Sequence, residues 1–118
     1  MIEYRQVDLA ASGTAELFSI DATTGFSSKL RTAPSDGTYQ MRIVATTVAV
    51  QMRVSSGPEL VLPTSPVGGG GVIGVFPAQT DSEPLQWEAL AGDEQSCELL
   101  ETAAAIASVM AILEFVPA

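Results

Sequence analysis

The chain has 118 residues, one domain's length, of which 47% are apolar and only 16% charged, against about 25% charged in ordinary globular domains. Its net charge of −9 repels nucleic acid and anionic lipid surfaces. With no histidine and a single cysteine, it has no intrachain disulfide, lacks the usual zinc and iron ligand sets, and has no histidine base for a nucleophile.

The charge is unevenly placed. The basic residues are Arg5, Lys29, Arg31, Arg42 and Arg53, and Glu3, Asp8, Glu16, Asp21 and Asp36 balance them. After Arg53 come Glu59, Asp81, Glu83, Glu88, Asp93, Glu94, Glu98, Glu101 and Glu114, with no base among them. The second half therefore carries the whole net charge, and a partner that docks on it by charge should be basic. So many Ala, Val, Ile and Leu residues with so few charges should leave apolar surface exposed, and large exposed apolar patches mark partner surfaces. Oligomerisation is the natural way to cover them.

In chain order, Met1 to Gln6 lack the basic-then-apolar pattern of a signal peptide. No later run reaches the ~18 apolar residues of a membrane span, so a soluble chain is expected. Turn signals recur at short intervals: Ser12-Gly13, Thr24-Gly25, Pro34 to Gly37, Ser56-Gly57-Pro58, Pro63 to Gly71, Pro77, Pro84 and Ala91-Gly92-Asp93. Short runs between turns predict many short strands in a sandwich or barrel, with little or no helix. Residues 39–43 (YQMRI) alternate with apolar residues at odd positions, and residues 48–54 (VAVQMRV) at even positions. A period-2 ribbon cannot change faces unaided, so a bulge, bend or tight turn is predicted around Ala45-Thr46-Thr47. Gly68-Gly-Gly-Gly71 predicts a flexible or tightly turning loop. Leu85, Trp87 and Ala89 should face the core, with Gln86 and Glu88 outward.

Residues 98–113 (ELLETAAAIASVMAIL) are open to two assignments. Propensity favours a helix, but Ala103-Ala-Ala-Ile-Ala has neither a cap nor a charged face. The preferred assignment is a strand over 95–101, a connection over 102–105 and a terminal strand over 106–116. That last strand is apolar on both faces: Val109, Ala111, Leu113 and Phe115 on one, Met110, Ile112 and Val116 with Glu114 on the other. Such a strand is central in a two-layer core or covered by a neighbouring subunit.

Candidate chemistry is sparse. The glycine run is not a phosphate loop: it lacks GxxxxGK[ST], no base follows it, and it precedes a strand. Asp81-Ser-Glu83 and Asp93-Glu94 could supply calcium oxygens but lack the cation-loop pattern, so a solvated acidic edge is expected. Ser27-Ser28-Lys29 reads as a chance neighbourhood rather than a Ser–Lys pair. Paired carboxylates for glycoside hydrolysis lack aromatic platforms, since the single tryptophan, Trp87, points inward. Cys97 should be a small buried core residue. No catalysis, cofactor or metal is expected. Docking remains, with the 1–4 and 115–118 segments as arms that pair with neighbours or as ordinary edge strands. The candidate contact residues are Ile2, Tyr4, Gly69, Gly70, Met110, Ile112 and Val116.

Residues 85–102 (LQWEALAGDEQSCELLET), the Ala-rich stretch after them and the closing Ile112-Leu-Glu-Phe-Val-Pro117 resemble the end of many small tailed-phage virion proteins. There a strand leads into an A-G-D turn, a strand, a short connection and a final strand ending in proline. Residues 46–54 are similar in style. The resemblance covers about half of the chain. It implies a single-domain, jelly-roll-like antiparallel β-sandwich that decorates and cements a phage capsid. Such a protein would sit on the outer virion surface after assembly in the host cytoplasm, as a homodimer or homotrimer clamping major capsid subunits. A monomeric β-sandwich binding a small molecule or sugar in a pocket lined by Tyr4, Tyr39 or Trp87 is the alternative expectation, and a head–tail or tail component is a third.

Overall fold

The computed structural model describes residues 2–18, 25–77 and 83–118. Among these residues the strands are β1 (Ile2–Leu9), β2 (Thr14–Glu16), β3 (Gly37–Ala45), β4 (Val50–Ser56), β5 (Glu59–Pro66), β6 (Leu85–Ala89), β7 (Gln95–Glu101) and β8 (Ala107–Pro117), with one helical turn, α1 (Ser28–Arg31). They form two antiparallel four-stranded sheets in the orders β1-β8-β3-β6 and β2-β7-β4-β5. These are the strand orders of an eight-stranded jelly roll, an all-β sandwich.

The change of phase between β3 and β4 is the crossing from one sheet to the other. Tyr39, Met41 and Ala45 of β3 and Val50, Met52 and Val54 of β4 are all buried. Odd positions of one strand and even positions of the next therefore face the same core from opposite sides. Val48, expected inside a strand, lies instead in the turn between them and is 82% exposed. Residues 98–113 resolve into strand, turn and strand. Residues 102–106 form the turn, in which Ala104 takes a left-handed φ of 56°. Pairing decides this: β7 is hydrogen-bonded to β2 and β4, and β8 to β1 and β3, so cross-strand packing overrides the helical propensity of the alanines.

β5 gave no alternation to read. It pairs with β4 through two register shifts and carries Pro63 and Pro66. Prolines and bulges are what an edge strand tolerates, and they keep its free edge from pairing with another chain.

Tyr39 sits at the centre of the core. Its ring stacks on Trp87 (5.4 Å between centroids, 13°), tilts against Phe115 at 4.9 Å and meets the edge of Phe18 at 6.2 Å. Its hydroxyl donates to the Leu30 carbonyl at 2.8 Å, and burial pushes its pKa up to about 12. Trp87 Nε1 donates to Gln95 Oε1 at 2.7 Å, and Gln95 Nε2 donates to Ser56 Oγ at 2.9 Å. This buried polar chain joins β6 of one sheet to β7 and β4 of the other, and each member has a partner, as burial demands.

Gly37 marks the tightest point. A Cβ there would lie 2.6 Å from Phe115 Cζ and 2.6 Å from the Val116 carbonyl oxygen. Gly37→Ala should therefore cost about 1–3 kcal/mol, the usual range for overpacking, read from the urea midpoint at unchanged m-value.

Candidate functional site: the strap and the loop end

After β5 the chain does not stay with its own sheet. Residues 67–77 run as a strap onto the outer face of the β1-β8-β3-β6 sheet. Val67 N donates to the Val50 carbonyl (2.8 Å), Ala45 N to that of Gly68 (2.8 Å) and Gly71 N to that of Ala45 (2.9 Å). Farther along, Gly74 N donates to Gln6 Oε1 (2.9 Å), and Phe76 meets the Tyr4 ring edge-on at 5.5 Å. The glycines permit this close path. A Cβ on Gly69 would stand 2.7 Å from Val48 Cγ1, and one on Gly71 3.0 Å from Met110 Cε and 3.1 Å from Val44 Cγ1. The glycine run is thus a tight, hydrogen-bonded crossing.

The strap corrects two expected contact residues. Met110 and Ile112 were to be covered by a neighbouring subunit, yet both are buried within this one chain, at 0% and 6% exposure. Met110 lies beneath Gly71, and Ile112 pairs across the sheet with Tyr4 and Arg42. Burying each stabilises by roughly 1.5–3 kcal/mol, with no second copy required. Ile2, Tyr4 and Val116 remain about half exposed on that face. Gly69 is half-buried against Val48, while Gly70 is exposed with φ of 90°. Met1 lies outside the described residues.

The strap emerges at the end of the sandwich where three loops meet: 10–13, 46–49 and 102–106. Glu101 ties two of them together. Its carboxylate is buried and accepts from the backbone N–H groups of Ser12 (2.7 Å), Ala103 (2.6 Å) and Ala105 (3.2 Å), while its own N–H donates to the Gly13 carbonyl (3.0 Å). Thr102 Oγ1 joins the third loop by donating to the Ala49 carbonyl at 2.7 Å. The Ser12 N–H above all, with those of Ala103, Ala105 and Ala104, holds the Glu101 carboxyl below the usual carboxylate range against the opposing effect of burial. On this anchored end Val48, Ile106 and Ile73 stand 82%, 80% and 64% exposed. None of the three was singled out from the sequence. Ile106 read as the first residue of a strand, whereas it projects from the turn before it.

The opposite end is acidic. Asp36, Glu59, Glu88, Asp93 and Glu94 surround the 57–58 and 90–94 turns there, with Arg31 paired to Glu94 at 3.8 Å. Asp93 and Asp36 cap backbone N–H groups of Leu90 and Ala91, so these acids shape turns. Asp81 and Ser82 lie outside the described residues. Ser27 donates through N and Oγ to the Glu3 carboxylate, at 2.8 and 2.6 Å, which makes it a loop anchor. Among the described residues no three Cys, Asp or Glu side chains gather as a metal site.

Tyr39 and Trp87 are stacked in the core, and of the rings expected to line a pocket, Trp87 borders a recess of about 310 Å3 with Thr38, Gln86 and Glu88 while itself only 6% exposed. A groove of about 470 Å3 does cross the outer face of the other sheet, between Thr14, Glu16, Gln51, Arg53, Thr64 and Glu98, with no aromatic ring among its lining residues. Glu16 there accepts from Ser96 Oγ and the Cys97 N–H. Cys97 is fully buried, and burial foremost, with the Glu16 and Glu98 carboxylates, pushes its thiol pKa up.

Fold and site together define an eight-stranded jelly roll with an anchored apolar loop end and an acidic end opposite. No protein family, curated protein or solved structure matches the chain.

Two outcomes follow from the buried groups. A carboxylate held below its usual range stabilises the fold fully above that range, and the contribution is lost as pH falls through the folded value. Glu101→Gln should therefore lower Tm at neutral pH, and its deficit against the parent should shrink in acid, in melts followed by circular dichroism across pH. Cys97 should react with a disulfide reagent only after denaturation, since neither access nor thiolate is available in the native state.

Proposed function

We propose that this protein is a non-catalytic docking module of a tailed-phage virion, a decoration or cement protein that seats on major capsid subunits through its apolar loop end. The observation that carries this reading is the exposure of Val48, Ile73 and Ile106 on loops that Glu101, Thr102 and the strap hold in place. Apolar side chains on an immobilised surface lose little conformational entropy on binding, and repetition over a shell multiplies modest contacts by avidity. The acidic end would face away from the contact and keep nucleic acid off the particle. A jelly roll is also the architecture that the chain's resemblance to small virion proteins implies, and viral capsid domains use it.

A second copy is no longer needed to cover β8, so self-association into dimers or trimers loses its main support. The capsid remains the proposed partner. Sugar binding is less well supported, because the open groove offers hydrogen-bonding side chains without a ring to stack on.

The test is co-sedimentation of the purified chain with empty shells built from the major capsid protein of the same particle. Saturable binding is expected, weakened about tenfold or more when Val48→Ser and Ile106→Ser are combined, as for the loss of a hot spot. Absence of the chain from the pellet, or binding indifferent to both substitutions, overturns the reading.

A further inference from the structure

Between the strap and the loop end runs a groove of about 450 Å3, bordered by Gln6, Asp8, Ala10, Thr46, Ile73 and Ile106 among others. Asp8 is its one charged residue. Among the described residues, both hydrogen bonds that Asp8 receives end on a single oxygen: Oδ1 accepts from Ser108 Oγ at 2.7 Å and from Gln6 Nε2 at 3.3 Å. Gln6 is itself fixed, because its Oε1 accepts from Gly74 N of the strap. Oδ2 accepts no hydrogen bond among the described residues. The ion pairs among those residues, Arg5–Glu3 and Arg31–Glu94, leave Asp8 without a counter-charge. An oriented, unneutralised carboxylate thus shares a groove with two exposed aliphatic side chains.

We propose that this groove receives an arginine side chain from the partner protein, with the guanidinium on Asp8 and the aliphatic stem between Ile73 and Ile106. The assignment rests on the docking role proposed above for this end of the molecule and adds the chemistry of the partner. Arginine fits better than lysine: its cation is more weakly hydrated and leaves water more readily beside apolar walls, and arginine is enriched at interfaces where lysine is depleted. A separate protein fits better than a second copy. Two bodies of charge −9 repel each other, whereas a basic surface is attracted.

The experiment titrates the 15N-labelled full chain with acetyl-Ile-Arg-Ile-amide, and in parallel with the same peptide carrying glutamine in place of arginine. The arginine peptide should shift the amide signals of Asp8, Ile73, Ile106 and Ser108, and the glutamine peptide should bind them about tenfold more weakly. Asp8→Asn keeps the oxygen that Ser108 and Gln6 use, so it should fold. It should cut affinity for the arginine peptide about tenfold while leaving the glutamine peptide unchanged. Ile73→Ser, at an exposed position, should weaken both peptides. Shifts centred instead on Glu59, Glu88 and Leu90 overturn the proposal, as does equal binding of the two peptides. Concentration-dependent broadening of the groove signals without peptide also overturns it, because a second copy then fills the site. The titration uses the chain alone and is read separately from the shell assay. Shell binding without peptide binding refutes the arginine groove, and peptide binding without shell binding refutes the cement role.

Discussion

A strand that is apolar on both faces must be covered on both, and β8 is that strand. It lies between β1 and β3 and is paired on both sides from Val109 to Glu114, so neither edge there is available for relief. Val109, Ala111, Leu113 and Phe115 meet the opposing sheet, as in any sandwich. Met110 and Ile112 on the other face have no third sheet above them. The chain meets that demand with its own residues 67–77, drawn across the outer surface and hydrogen-bonded to Ala45 and Gln6. The glycine run is the means: a side chain at Gly71 would hold the strap off the sheet, and one at Gly69 would hold it off the 46–49 turn.

Sending the strap there has consequences at its ends. It leaves the sandwich where the 10–13, 46–49 and 102–106 loops converge, and its exposed Ile73 borders the same groove as Ile106. The loops are not loose: one buried carboxylate, Glu101, collects three backbone N–H groups at the place where β7 runs out of partners. A buried charge is tolerated only when it is well hydrogen-bonded, and here that satisfaction immobilises the surface that carries Val48 and Ile106. Stability and presentation of the apolar end have the same cause.

The molecule is therefore polarised. Apolar side chains and one uncompensated aspartate mark one end, and turn-capping acids mark the other, while the buried chain from Trp87 through Gln95 to Ser56 ties the sheets near the acidic end. Part of the charge asymmetry along the sequence becomes asymmetry in space, because Glu59, Glu88, Asp93 and Glu94 meet at one end, where Asp36 joins them. Under the proposed docking role, one end suits contact and the other suits solvent.

Much of the fold was legible in the residues. Alternation located β3, β4, β6 and β8, because a period of two is a local property of the chain, and the change of phase before β4 announced a bend or turn, which the structure makes a crossing between sheets. β5 was not legible, since its bulges and prolines erase the period. The candidate site was read only in part: Tyr4, Ile2 and Val116 are exposed as expected, whereas Met110 and Ile112 are covered and Val48, Ile73 and Ile106 take their place at the surface. By itself the sequence determined an all-β chain with an apolar excess, an acidic second half and a terminal strand needing two covers. Which segment supplies the second cover, and which aliphatic residues are thereby left facing water, was decided by tertiary structure. That depends on contacts between residues distant in sequence, such as Gly71 with Met110 and Glu101 with Ser12, which no local pattern records.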